Sequence, residues 1–159
     1  MKVIMNASPL ILLSKINRLD LLNRLFDSVL IPEAVVQEIN AVITLDEATI
    51  LSRISYECIK VTNRAAVISM LGRLHLGEVE VMVGALEQGV KTVVLDDFSA
   101  RNKAKQLGLN VTGTLGIIIK AKNSNLITDI AFEIGKLKAA GIYISDDIIH
   151  QILKIDIRG

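Results

Sequence analysis

Aromatic residues and cysteine are scarce in this 159-residue chain, which has no tryptophan, an aromatic fraction of 3% and a single cysteine. Because hydrophobic residues still make up 51% of the chain, the core must consist of Ile, Leu, Val and Ala rather than aromatic rings. The lone Cys58 cannot form an internal disulfide, and its apolar neighbours predict a small core residue.

Long apolar runs are also missing. None approaches the length of about 20 residues that a transmembrane helix needs. Met1-Lys2-Val3 leads directly into a predicted strand, without the pattern of a secretory signal peptide. We therefore expect a cytoplasmic protein with no membrane partner.

A strong charge of either sign is absent, since the formal net charge is +1. The charges are nevertheless uneven, with eight Lys and Arg against four Asp and Glu between Lys91 and Lys138. Solvated helix faces explain any one of these cations. A mild phosphate-attracting side is the alternative, and composition does not separate the two.

Short β-like runs alternate with helical patterns along the chain. Apolar runs of strand length occur at Lys2–Met5, Val29–Ile31, Thr92–Leu95 and Leu109–Thr112, with a weaker one at Cys58–Val61. This alternation predicts one domain over residues 1–159, with a three-layer α/β/α architecture around a central parallel sheet.

The helical patterns carry recognisable boundary signals. Ser8 is predicted to cap the first helix, with Pro9 at its first position. The strongest helix is predicted over Leu76–Gln88 and closed by Gly89, whereas the pattern over Leu45–Ser55 is weaker. Ser145 is predicted to cap the last helix.

Two adjacent carboxylates, Asp96 and Asp97, follow the predicted strand Thr92–Leu95. Ligands of open α/β sheets bind outside the carboxyl ends of strands. The first strand ends in the same way, at Asn6, and is followed by Ser8. The pair of acids therefore marks either a favourably charged helix start or a cation site.

Helical periodicity indicates which glutamates approach this edge. At about 100° per residue, Glu38 and Glu78 border the apolar stripes of their helices and are predicted to be semi-buried. Glu80 and Glu87 are predicted to face solvent. A glutamate at the border of a stripe is more often a surface residue, but a shared edge favours a site. Carboxylate and amide oxygens suit Mg²⁺ or Mn²⁺ rather than zinc.

Other polar residues have simpler structural explanations. His75 and His150 lack acidic or cysteine neighbours at ligand spacing, so surface or capping roles are favoured. The first-turn acids Asp146 and Asp147 suit the helix dipole. Arg101, about one turn beyond the acidic pair, is a candidate for contacting phosphate, although a solvent-facing arginine would have the same spacing.

The order of these residues resembles a known family. The chain is similar to the PIN domain, above all to a prokaryotic branch of uncharacterised, predicted nucleic-acid-binding proteins related to VapC-type toxin ribonucleases. The resemblance spans nearly the whole chain and rests on the segments Val3–Ile11, Ile31–Glu38, Leu76–Glu80, Leu95–Arg101, Gly113–Lys122 and Ile144–Asp147.

The resemblance implies a metal-dependent ribonuclease using Mg²⁺ or Mn²⁺. Asn6 stands where the first aspartate of the family usually is, and Ser8 matches the hydroxyl residue that supports that acid. Glu38 and Glu78 match the second and third acids. The fourth acid matches the Asp96–Asp97 pair, with Asp97 better aligned.

The resemblance also implies partners. These are RNA, a small antitoxin protein and a second copy of the chain, for which the leucine-rich helices over Leu10–Phe26 are a candidate dimer face. Asn6 replaces a charged ligand by a neutral amide, which lowers the expected metal affinity. A PIN-like module that binds RNA or a protein without cleavage is therefore the alternative. Receiver, dinucleotide-binding and haloacid-phosphatase folds fit less well, because their motifs are missing after the first strand.

Overall fold

The computed structural model describes residues 1–41 and 49–158, with side chains described as far as Lys154. Its centre is a parallel five-stranded sheet of order β3-β2-β1-β4-β5. The strands are β1 (Lys2–Met5), β2 (Ser28–Pro32), β3 (Glu57–Ile59), β4 (Thr92–Val94) and β5 (Asn110–Thr112). The predicted three-layer α/β/α architecture is confirmed.

Helices cover both faces of the sheet because successive strands are added first on one side of β1 and then on the other. The β1–β2 crossover moves one way from the centre and the β3–β4 crossover moves back, so right-handed connections place their helices on opposite faces. The helices are α1 (Ala7–Lys15), α2 (Asp20–Leu25), α3 (Glu33–Asn40), α4 (Arg64–Met70), α5 (Leu76–Gln88), α6 (Phe98–Gln106), α7 (Thr114–Asn123), α8 (Ile130–Ala139) and α9 (Asp146–Arg158).

The core is aliphatic, as the composition predicts, and its largest fully buried side chains are Ile, Leu and Met. Leu10, Leu13, Leu21 and Leu22 are fully buried in it. The interpretation of Leu10–Phe26 as a dimer face was therefore wrong for these leucines, because they pack against the sheet and other helices of the same chain.

Two local predictions were wrong, one about the burial of Cys58 and one about the N-cap of the first helix. Cys58 is exposed rather than part of the core, because β3 is an edge strand and alternate residues of a strand face opposite sides. The first helix begins at Ala7, with Asn6 rather than Ser8 at its N-cap position. Asn6 N–H donates to the Val94 carbonyl at 3.2 Å, so sheet pairing ends at Asn6 and the helix starts at once.

The weak helical pattern over Leu45–Ser55 falls partly on residues 42–48, which lie outside the described residues. Its second part forms a short 3₁₀ turn over Ile50–Arg53. Among the described residues, no helix has both the length and the apolar character that crossing a bilayer requires.

A buried ion pair attaches α8 to the loop before α2. Glu133 is 1% exposed and accepts hydrogen bonds from Arg18 Nε and Nη2 at 3.0 and 2.5 Å. Lys136 Nζ lies 3.0 Å from the other oxygen as an ion pair rather than a well-aligned hydrogen bond. Burial opposes the charged form, but these cations hold the pKa of Glu133 below its ordinary value.

Candidate functional site

The polar residues that follow the neighbouring central strands β1 and β4 lie at the same edge of the sheet. β1 and β4 pair in parallel with Met5 opposite Val94, so Asn6 and the Leu95–Asp97 segment leave the sheet side by side. Leu95 N–H also donates to the Thr112 carbonyl at 2.9 Å, which extends the pairing beyond β4. The carboxyl ends of the three strands β1, β4 and β5 therefore meet at this edge.

The side chains of Asn6 and Glu38 both lie close to Gly77. Gly77, the second residue of α5, lies so close to α3 that a Cβ there would be 2.9 Å from Glu38 Oε2 and 3.2 Å from Asn6 Oδ1. Asn6 is 7% exposed, and its Oδ1 is buried with no hydrogen-bond partner among the described residues. The cost of burying an unpaired amide oxygen makes this atom the most distinctive feature of the edge.

Glu38 is exposed, so the prediction that it is semi-buried was wrong. Its position at the border of the α3 stripe is correct, but the helix end projects the long side chain over Gly77 and into solvent. The exposed carboxylate can therefore move, whereas Asn6 is fixed to the sheet through its backbone N–H, which donates to the Val94 carbonyl.

Glu78 is buried, at 7% exposure, and occupies the third position of α5. Its Oε2 accepts a hydrogen bond of 3.1 Å from the backbone N–H of His75, the N-cap residue, which is half of a capping box. Burial raises the pKa of the Glu78 carboxyl, partly opposed by the His75 N–H, and the charges of Asp97 and Glu38 raise it further. Glu78 therefore lies within electrostatic reach of both other acids.

The adjacent aspartates divide their roles. Asp97 is exposed and caps α6, accepting a hydrogen bond from Ala100 N–H at 2.9 Å. Asp96 is half-buried and accepts hydrogen bonds from Thr114 N–H and Thr114 Oγ1, both at 2.7 Å. Since a carboxylate offers about four acceptor positions, Asp97 keeps more of its capacity for a further ligand than Asp96 does.

Ser8 contacts the Asp96 side chain, and Arg101 contacts the backbone of the preceding residue, Leu95. Ser8 Oγ donates to Asp96 Oδ2 at 3.4 Å, so the described contact of this hydroxyl is to Asp96 rather than to Asn6. Arg101 is half-buried, and its Nη1 donates to the Leu95 carbonyl at 3.0 Å. A Cβ at Gly113 would lie 2.7 Å from both Arg101 Nη1 and Asp96 Oδ1. The guanidinium thus lies against the strand end rather than free in solvent.

The described carboxylates converge on this edge without forming a closed ligand set. Among residues 1–41 and 49–154, no three or more His, Cys, Asp or Glu side chains group so as to hold a metal ion. The residues nevertheless fit a hard cation by their chemistry, because the unpaired amide oxygen of Asn6 lies beside exposed carboxylate oxygens. Glu38, which has no hydrogen-bond or ion-pair partner among the described residues, can move its carboxylate toward that amide.

Glu80 is buried, at 5% exposure, so the prediction from helical periodicity that it faces solvent was wrong. Its carboxylate pairs with Arg64 Nη1 at 2.9 Å and accepts a 3.2 Å hydrogen bond from Ala34 N–H. A single apolar stripe predicts one buried face, but every residue from Gly77 to Ala85 is buried. The mixed composition of this segment, with small residues on the supposed solvent side, was the available signal.

Glu87, in contrast, is exposed, as predicted. It accepts hydrogen bonds from the backbone N–H groups of Thr62 and Asn63, the latter at 2.5 Å, and these lower its pKa. Its described contacts attach α5 to the start of α4 and lie outside the acidic edge.

Sequence reasoning also did not identify Gly77 and Thr114 as parts of the site. Gly77 leaves room for the side chains of Asn6 and Glu38. Thr114 donates two hydrogen bonds to the Asp96 carboxylate. A glycine directly before a candidate glutamate was a signal for the first. Nothing local indicated the second, because the contact joins residues 18 positions apart.

Comparison with protein families matches residues 2–156 to a family model described as a PIN domain. The comparisons with curated proteins and with solved structures gave no match. The family match covers nearly the whole chain and agrees with the parallel sheet. Members of the family are commonly nucleases that act on nucleic acids with divalent metals. The chain belongs to the PIN domain family.

Proposed function

We propose that this protein is a divalent-metal-dependent ribonuclease that hydrolyses phosphodiester bonds of RNA. The observation that carries the proposal is the buried Oδ1 of Asn6, which has no hydrogen-bond partner among the described residues and which, like Glu38 Oε2, lies close to Gly77. The charges of Asp97 and Glu38 also raise the pKa of the buried Glu78. A buried oxygen with no donor is costly, and a cation bound at this edge would remove that cost.

The residues that would hold Mg²⁺ or Mn²⁺ are Asn6, Glu38, Glu78 and Asp97. Asp96 keeps about one acceptor position after its three hydrogen bonds, so we assign it chiefly to positioning and less to ligation. When bound, a divalent cation activates water and stabilises negative charge on the phosphoryl oxygens.

The protein's own groups contribute orientation and charge. Glu78 is held by the His75 N–H, and its raised pKa makes it hold a proton more readily than an exposed glutamate in the absence of a cation. Arg101 is fixed by the Leu95 carbonyl and has further N–H donors that can contact a phosphate beside Asp96. The proposal has three finer parts. The protein would be a toxin that pairs with a small antitoxin protein, it would form a homodimer, and it would be located in the cytoplasm.

The test is cleavage of single-stranded RNA with Mn²⁺ by the wild-type protein and by the Asp97→Asn and Glu78→Gln variants. Both substitutions preserve the capping geometry, because Asn and Gln still offer an acceptor oxygen. Asp129→Asn is the matched control, since Asp129 caps α8 in the same way by accepting from Phe132 N–H at 3.1 Å. We expect the two site variants to lose activity and the control to keep it. Equal activity in all four proteins would refute the site.

A second candidate function is RNA or protein binding without cleavage, and Asn6 itself favours it. A neutral amide supplies less charge to a cation than an aspartate would. Asn6→Asp separates the two functions. If this variant gains Mn²⁺ binding and RNA cleavage that the wild type lacks, the natural protein is a binding module.

A further inference from the structure

A groove of about 430 Å³ lies beside the acidic edge, between the α4–α5 connection and α6. We infer that this groove and the exposed ring of Phe98 bind a single strand of RNA and guide it to the acids. The inference rests on the proposed function, since it names the path that the substrate of that site would take.

Charge favours a polyanion in the groove. Its lining includes Arg73 and Lys103, together with the polar side chains of Ser99 and Asn102, and includes no carboxylate among the described residues. None of the ion pairs or side-chain hydrogen bonds within the described ranges involves Arg73 or Lys103. Two cations without carboxylate partners on one concave surface attract phosphate.

The segments that line the groove also lead to two of the acids. Asp97 caps α6, and the groove-lining residues Ser99, Asn102 and Lys103 follow on the next turns of that helix. On the opposite wall, Arg73 stands two residues before His75, whose N–H holds Glu78. From Ser99 to Gln106 the groove follows α6 for about 10 Å. A strand lying in it would therefore reach Asp97 and Glu78 at one end.

Phe98 supplies the second element of recognition. It directly follows Asp97 and is 76% exposed, and it lies one helical turn before Asn102 on the same side of α6. An exposed ring beside a cationic groove is a surface on which an unpaired base can stack. Bases of a duplex are already stacked, so the arrangement favours single-stranded RNA.

The test measures binding separately from cleavage. A short fluorescein-labelled single-stranded oligoribonucleotide is titrated with protein in EDTA at several salt concentrations, and fluorescence anisotropy is recorded. The variants are Phe98→Ala and the double variant Arg73→Gln/Lys103→Gln. Their matched controls are Phe132→Ala, a 62% exposed phenylalanine on α8, and Lys15→Gln/Lys138→Gln, two exposed lysines outside the groove.

We expect Phe98→Ala to weaken binding by about tenfold. The double variant should weaken binding at low salt and reduce the slope of log affinity against log salt by about 1.4, which corresponds to two phosphate contacts. Both controls should bind as the wild type does, and thermal melts should confirm that all the variants are folded.

Glu78→Gln distinguishes this inference from the proposed function. If Glu78→Gln binds the oligoribonucleotide normally but does not cleave it, both statements stand. If the wild type binds through the groove but never cleaves, the proposed function fails and the inference is supported. The inference is overturned if the wild type does not bind, if the groove variants bind as tightly as their controls, or if duplex RNA binds as tightly as the single strand.

Discussion

The substitution Gly77→Ala should separate stability from function at the acidic edge. The added Cβ would lie 2.9 Å from Glu38 Oε2, 3.2 Å from Asn6 Oδ1 and 3.4 Å from Val35 Cγ2. The closest of these atoms is the free end of an exposed side chain, so Glu38 can move away. The methyl group then stands between the carboxylate and the amide that the proposed cation needs together.

The expected change in unfolding free energy is small because two effects oppose each other. Alanine in place of glycine in a helix gains up to about 1 kcal/mol. Crowding against the buried Asn6 and Val35 costs about 1 kcal/mol, at the low end for overpacking, because the shortest contact can relax. The net change should lie within about 1 kcal/mol, or about 3 °C in Tm for a protein of this size.

The expected change in cation binding is larger. Disturbing groups that position metal ligands weakens metal affinity by about tenfold or more, so Mn²⁺ should lose about 1.4 kcal/mol of its stabilising effect at a saturating concentration. The assay is thermal unfolding at increasing Mn²⁺, with RNA cleavage measured in parallel.

Gly135→Ala is the control for this prediction. Gly135 lies within α8, and an added Cβ there meets nothing within 4 Å. This variant should gain up to about 1 kcal/mol of stability and keep the response to Mn²⁺. If Gly77→Ala bound Mn²⁺ and cleaved RNA as the wild type does, the reasoning about Asn6 and Glu38 beside Gly77 would be refuted.

Three further predictions concern buried glutamates. Glu80→Gln should lower the unfolding free energy by about 1–2 kcal/mol in chemical denaturation, because it breaks the ion pair with the half-exposed Arg64, and an unchanged midpoint would contradict the pairing. In the absence of metal, Glu78→Gln should instead raise the unfolding free energy. Above the ordinary carboxyl pKa the folded protein retains a proton at Glu78 that the unfolded chain has released, so wild-type stability falls with rising pH through the raised pKa, and this decline should be absent from a pH series of the variant. Glu133→Gln should cost about 3 kcal/mol, since it leaves two cations facing an uncharged group. Because the pKa of Glu133 is lowered, its stabilising effect in the wild type should be present above the ordinary carboxyl pKa and be lost as pH falls through the folded value, which acid titration of unfolding measures.

Much of the fold could be predicted because its signals are local. The strand at Lys2–Met5 and the helix at Leu76–Gln88 lie where the patterns place them, and Gly89 closes that helix in the left-handed conformation, with φ 66°. The alternation of these elements is sufficient for a parallel three-layer fold.

Burial within those elements was harder to predict. Periodicity identified the outward position of Glu87 but misjudged Glu80, because α5 is enclosed by neighbouring elements on more than one side. The predictions that Cys58 and Glu38 are buried were wrong for the opposite reason. An edge strand and a helix end expose residues that an interior element would bury. In each case the error came from the surroundings of an element rather than from its identity.

The sequence by itself placed Asn6 and Asp97 just beyond the ends of two strands of a parallel sheet, because apolar runs of strand length stop directly before them. It also placed Glu78 in the first turn of a helix, at the border of an apolar stripe. The tertiary structure alone decided which oxygens are already paired. Thr114, 18 residues from Asp96 in the chain, donates hydrogen bonds to the Asp96 carboxylate. The Oδ1 of Asn6, in contrast, has no hydrogen-bond partner among the described residues. Hydrogen bonds between distant segments depend on how close the backbones pack, and a local pattern of residue types does not contain that distance.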